Sequence, residues 1–167
     1  VALAGGGLKG LAHIGALKAL EELGVKIEYL SGTSSGSIFA SFYAMGYSLE
    51  EIKKRTMENY KILTKIPKTP LFKAGATYLT SGVAQIEGLI PGENIANLVN
   101  EVSKDTAIKN MSQIEIPFAI TAVDTITTKE CVFLSKEIKK SDNLDIDYIY
   151  DAPVATATRA SMSFPGI

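Results

Sequence analysis

The chain opens on a short apolar run, Val1-Ala2-Leu3-Ala4, which stops at Gly5-Gly6-Gly7. A run this short, bounded by glycine, predicts a buried strand. After Gly10 the apolar positions become Leu11, Ile14, Leu17, Leu20 and Leu23, with Lys18, Glu21 and Glu22 off the stripe and Gly24 behind it. That spacing predicts an amphipathic helix with a glycine stop. Ile27 to Leu30 predicts a second strand ending at Ser31-Gly32. Ser37 to Met45 is small and apolar nearly all round, which predicts a buried helix closing at Gly46. Ser48-Leu49-Glu50-Glu51 matches a capping box and predicts a helix to about Tyr60.

Residues 61–92 carry Pro67, Pro70, Pro91 and several glycines, and read as a surface excursion or lid. Asn94 to Val102 predicts a helix; Ile116 to Val123 and Cys131 to Leu134 predict strands joined through a polar turn. Asp151-Ala152-Pro153 predicts a helix start, with Asp151 as cap and the proline in the first turn, running to about Ser161. The opening alternation of strand, glycine loop, helix, strand, tight turn and helix predicts an α/β fold. Its central sheet would be mainly parallel and flanked by helices. Such folds place ligands beyond the carboxyl ends of their strands, where both glycine turns lie.

Length and composition narrow the chemistry. The 167 residues suit a single domain over 1–167 and show no repeat. A net charge of −1 argues against a nucleic-acid binder held by phosphate contacts. One cysteine, Cys131, excludes an internal disulfide, and one histidine, His13, excludes a multi-histidine metal site. No metal or cofactor is expected, and no apolar run approaches the ~18 residues of a membrane span. The chain starts at Val1 inside an apolar run and stops at Ile167 just after Phe164-Pro165-Gly166. The expectation is a fold cut at both ends, with part of the site beyond Ile167 and any leader upstream of Val1.

The first turn, Gly5-Gly6-Gly7-Leu8-Lys9-Gly10, has three readings. Gly5, Gly7 and Gly10 fit G-x-G-x-x-G, and glycines there aim N–H groups at an anion near a helix start. The anion can be a dinucleotide pyrophosphate or the oxyanion of acyl transfer. The third reading is a tight turn packing helix on strand. A dinucleotide site also wants an acid ending the second strand, and the nearby acid, Glu28, sits at that strand's start.

The second turn, Gly32-Thr33-Ser34-Ser35-Gly36, fits G-x-S-x-G between strand and helix, the nucleophile-elbow arrangement. Ser34 is the candidate nucleophile. Gly32 and Gly36 leave room for backbone around the strained turn, and the helix behind aims its positive end at developing charge. A Ser-rich helix cap is the bland alternative. A dinucleotide site would leave this second turn idle. The only histidine, His13, lies just past the glycine loop in an order unlike a Ser-His-Asp hydrolase, and is read as structural. A carboxylate can serve as base instead.

These residues carry a resemblance. Gly5-Gly6-Gly7-Leu8-Lys9-Gly10 with His13 and Gly15, then Gly32-Thr33-Ser34-Ser35-Gly36, resembles the patatin-like phospholipase family. Ile116 to Asp124 and Arg159-Ala160-Ser161-Met162-Ser163-Phe164-Pro165-Gly166 extend the likeness along most of the chain. The resemblance implies a three-layer α/β sandwich, incomplete at its carboxyl end. It implies a serine lipid acyl hydrolase with a Ser-Asp dyad: Ser34 as nucleophile, and Gly5, Gly6, Gly7, Lys9 and Gly10 around the oxyanion. The dyad aspartate would come from a D-G-[GA] motif beyond Ile167, since this sequence holds no Asp-Gly pair. Asp124 reads as a turn cap, Asp151 as a helix cap, and Asp142, Asp145 and Asp147 as a solvated run.

The expected partner is an acyl lipid or phospholipid, with no nucleic acid, and the expected location is cytoplasmic or peripheral to a membrane. Lys53, Lys54, Arg55, Lys61, Lys65, Lys68 and Lys73, interleaved with Ile62, Leu63, Ile66, Leu71 and Phe72, could face anionic lipid, or could solubilise a helix face and loop. An acyltransferase using the same site, a dinucleotide-binding module and a non-catalytic lipid-binding domain are the alternatives.

Overall fold

The computed structural model describes residues 1–59, 92–138 and 145–163. Strand β1 (Ala2–Leu3) leads through a 3-10 turn (Gly7–Leu11) into α1 (Ala12–Glu22). Next come β2 (Leu30–Thr33), α2 (Ser35–Ala44), α3 (Leu49–Glu58) and α4 (Gly92–Val102). The described chain continues through β3 (Phe118–Val123), β4 (Glu130–Leu134), β5 (Ile146–Tyr150) and α5 (Val154–Met162). The proposed lid and most of the basic, apolar stretch lie outside the described residues, as do Asp142 and Phe164 to Gly166.

The strands form one sheet in the order β1-β2-β3-β4-β5. The β1–β2, β2–β3 and β4–β5 pairs are parallel; β3 and β4 run antiparallel as neighbours in a hairpin. This is the mainly parallel α/β sheet expected. Side chains alternate across it. Leu3, Leu30, Phe118, Ile120 and Phe133 belong to the core that α2 and α5 cover, with Ile38, Phe42, Val154 and Ala157. Eight successive residues of α2, Ser35 to Phe42, are buried, which explains why the helix is built from small and apolar residues nearly all round. The other face carries Ala2, Ser31, Ala119 and Leu134 in register. There they line an open apolar groove of about 400 Å³ together with Tyr29 and Ile138.

Three boundaries depart from the sequence reading. Strand β2 begins at Leu30 and takes in Ser31, Gly32 and Thr33, which read as a turn. It is paired on both sides, and those ladders hold its polar residues extended. Strand β5 runs through part of the polar run, where no strand was expected; Asp145 and Asp147 are exposed there as read, and Asp147 pairs with Lys129 at 3.5 Å. Asp151 does not cap α5: the N-cap position falls on Pro153, with no side-chain cap, while Asp151 adopts φ 56° and its carboxylate accepts from the Ser112 hydroxyl.

Helix α3 starts at the predicted capping box. The Glu51 amide donates to Ser48 Oγ at 3.3 Å, and the Ser48 amide donates back to Glu51 Oε2 at 3.0 Å. From the expected cationic stretch, Arg55 is not a free charge. It lies 4.6 Å over the Tyr47 ring, pairs with Asp105, and donates to the Val102 carbonyl at 2.6 Å. Tyr47 donates to the same carbonyl at 3.0 Å. The end of α4 is thereby capped by two side chains from the α3 region.

Candidate active site

Ser34 sits at the junction of β2 and α2, half-buried, with φ 52° and ψ −128°. A serine held there costs on the order of 1–3 kcal/mol, so the surrounding packing must over-determine it. The neighbouring glycines show how. A Cβ at Gly36 would lie 2.1 Å from the Leu3 carbonyl oxygen, and one at Gly32 would lie 2.6 Å from the Ser37 Cα. Only glycines let α2 sit this close to β1 and to its own incoming strand. The Ser34 carbonyl is then held from inside the helix, accepting from the Ser37 amide at 2.8 Å and the Ser37 hydroxyl at 2.6 Å.

The first glycine cluster lies directly against this turn. A Cβ at Gly5 would meet the Ser34 Cβ at 3.0 Å and its Oγ at 3.6 Å. Gly6 precedes the 3-10 turn and Gly7 opens it at φ 57°. The Lys9 amide donates to the Gly6 carbonyl at 3.1 Å, so that amide is spent inside the turn. The amides of Gly6, Gly7 and Leu8 precede Lys9, the turn's first internally bonded donor. Gly10 is buried and packs on Ser35: a Cβ there would lie 2.7 Å from Ser35 Oγ. Ser35 Oγ is the buried side-chain oxygen without a hydrogen-bond partner among the described residues.

Two residues that the sequence reading gave no role touch the nucleophile. The Ser34 amide donates to Ser161 Oγ at 2.8 Å, and the Ser34 hydroxyl donates to Met162 Sδ at 3.7 Å. Both belong to the last turn of α5. Their segment was visible as a likeness to a family, but nothing local indicated a contact across more than a hundred residues. His13 donates from Nε2 to the Ala4 carbonyl at 2.8 Å and packs edge-on against Phe39. It braces the strand that feeds the glycine loop.

The described aspartates are engaged elsewhere. Asp124 ends β3 at the Ser34 edge, but its carboxylate accepts from the Ile126 amide at 2.8 Å and the Thr127 hydroxyl at 2.7 Å. Those bonds hold its carboxyl below the usual carboxylate range. Glu28 precedes β2, at the sheet edge opposite the glycine loop, so β2 ends with no acid for a ribose. Among the described residues no cluster of histidine, cysteine, aspartate or glutamate could hold a metal ion. The apolar groove lies toward the amino ends of β1 to β3, away from Ser34. The elbow, the glycine loop and the β3–β4 turn share the carboxyl edge, where Leu8, Val123 and Ile126 are exposed.

Comparison with known proteins bears on the family and the fold. The family model for patatin-like phospholipases matches residues 1–167. The human patatin-like phospholipase domain-containing protein 6 is 45% identical over 64 residues, which cover 38% of this chain and 5% of that protein. Lysophospholipase NTE1 of Kluyveromyces lactis is 51% identical over 53 residues, 32% of this chain and 4% of that protein. The chain thus spans a small part of these relatives' length. Among solved structures, ExoU in complex with SpcU from Pseudomonas aeruginosa aligns with a TM-score of 0.58 and 22% identity. That alignment covers 99% of this chain and 36% of the other, a likeness of fold. The match along its whole length shows that the chain belongs to the patatin-like phospholipase family.

Proposed function

We propose that this family member is a serine lipid acyl hydrolase of the phospholipase A or lysophospholipase type, acting through an acyl-Ser34 intermediate. Ser34 Oγ attacks the ester carbonyl carbon as its proton passes to a carboxylate base. The amides of Gly6, Gly7 and Leu8, with the amino end of α2, take up the charge growing on the carbonyl oxygen. The carbon–oxygen bond to the alcohol breaks, and the alcohol leaves with the proton. Water then attacks the acyl carbon and gives its proton to the same carboxylate; the bond from that carbon to Ser34 Oγ breaks as the proton passes to Oγ, which releases the fatty acid and restores the Ser34 hydroxyl.

The base in this reading is the aspartate of a D-G-[GA] motif downstream of Ile167, forming a Ser-Asp dyad. His13 does not serve, since its Nε2–H is committed to Ala4. The lipid substrate makes membrane contact peripheral, and Leu8, Val123 and Ile126 give the Ser34 edge an apolar rim. No described helix is long and apolar enough to cross a membrane.

The observation that carries the reading is the left-handed Ser34 at a strand–helix junction, half exposed and packed on Gly5. Full-length protein should release fatty acid from lysophospholipid micelles. Ser34→Ala should lose on the order of 10³-fold or more in kcat with unchanged folding. Hydrolysis retained in Ser34→Ala would refute the assignment.

A further inference from the structure

We infer that Ser161 is a positioning residue for the nucleophile, so that α5, which carries none of the elbow motif, sets the conformation of the reacting serine. The inference rests on the reading of Ser34 as nucleophile. Ser161 is 8% exposed, and its Oγ accepts the Ser34 amide at 2.8 Å across 127 residues of sequence. Ser34 holds a φ that L-residues rarely adopt, so its conformation depends on what holds the two flanking peptide groups. Ser37 fixes the carbonyl side of Ser34 from within α2. Ser161 fixes the amide side from a different element. Together they clamp both peptide groups flanking the Ser34 Cα.

The same bond settles what the Ser34 amide does. An amide pointing at Ser161 Oγ does not point at an oxyanion, so the donors must come from the glycine loop and later α2 amides. One turn earlier in α5, buried Thr158 shares a hydrogen bond with Ser41 at 3.2 Å. This second α2–α5 bond lies far along α2 from Ser34 and provides an internal control. It glues the same two helices without touching the elbow.

The test compares three variants of the full-length protein on a soluble short-chain ester, with thermal unfolding recorded for each. Ser161→Ala should lower kcat by about tenfold or more with KM unchanged, because a misplaced nucleophile loses rate without losing binding. Ser161→Thr keeps the acceptor oxygen and should restore most of that loss. Thr158→Val should lower stability as much as Ser161→Ala while leaving kcat within about twofold of wild type. Amide hydrogen exchange gives a readout independent of turnover: the Ser34 amide should exchange faster in Ser161→Ala and stay protected in Ser161→Thr. Wild-type kcat and unchanged Ser34 exchange in Ser161→Ala would overturn the inference, as would an equal kcat loss in Thr158→Val. A wild-type protein without Ser34-dependent hydrolysis would instead refute the underlying assignment, and the exchange data would still judge the bond.

Discussion

A methyl group added at Gly36 would fall 2.1 Å from the Leu3 carbonyl oxygen, a backbone atom that cannot turn aside. At Gly10 it would fall 2.7 Å from Ser35 Oγ and 2.8 Å from Ser35 Cβ, side-chain atoms that yield only if Ser35 shifts as a whole. At Gly15, on the exposed side of α1, it would meet nothing within 4 Å. The three glycines of the two shared motifs therefore separate in stability. Gly36→Ala should cost about 3 kcal/mol or more, since β1 and α2 must part. Gly10→Ala should cost about 1–3 kcal/mol by overpacking. Gly15→Ala should gain about 0.5–1 kcal/mol of helix propensity. Urea unfolding orders them, and any other ranking would contradict the close approach of loop, strand and elbow. Motif spacing alone marks all three alike, because a pattern of glycines does not say which neighbour each one admits.

Among elements, the Arg55–Asp105–Tyr47 cluster ties α3 to the end of α4 and gives acid stability a defined window. The Arg55 guanidinium, then the Tyr47 hydroxyl, hold the Asp105 carboxyl down to about 2. A carboxyl lowered on folding stabilises fully above its unfolded value of ~4, and that contribution disappears as pH falls through the folded value. Wild-type stability should therefore drop between about pH 4 and pH 2, and Arg55→Gln should flatten that part of the profile. Ser48→Ala removes the α3 cap and should cost about 1 kcal/mol at neutral pH. Circular dichroism melts across pH check both, and an unchanged acid limb in Arg55→Gln would contradict the tie.

What was legible at this scale follows from range. The α3 capping box lies within four residues and could be read directly. The registration of β2 could not, because Ser31-Gly32-Thr33 is a turn by composition and a strand by its two neighbours. In β5 the alternation Ile146-Asp147-Tyr148 was present, but nearby aspartates disguised it as a polar run. Asp151 has cap chemistry, yet the left-handed turn gives its carboxylate to Ser112.

Across the whole molecule, sheet order decides which distant segments meet. β1, β2 and β3 lie side by side in chain order, so their loops converge on one edge. Thr33 and Thr121 share a hydrogen bond there at 2.7 Å. The two glycine turns could be paired from sequence through the strand–helix alternation alone. The arrival of Ser161 and Met162 beside Ser34 could not, because it depends on how α5 packs over β3 and α2. The same geometry leaves Asp124 near the site edge but committed to its own turn. Asp124→Asn should loosen the β3–β4 turn, seen as a lower melting temperature, and leave turnover intact. A collapse of kcat in a folded Asp124→Asn protein would make that residue the base.

The most direct measurement is labelling of the full-length protein with a fluorophosphonate, followed by peptide mass spectrometry. One covalent adduct on Ser34, absent from Ser34→Ala and slowed in Ser161→Ala, is the predicted result. An adduct on another residue, or none on a protein that still cleaves lipid ester, would contradict the account.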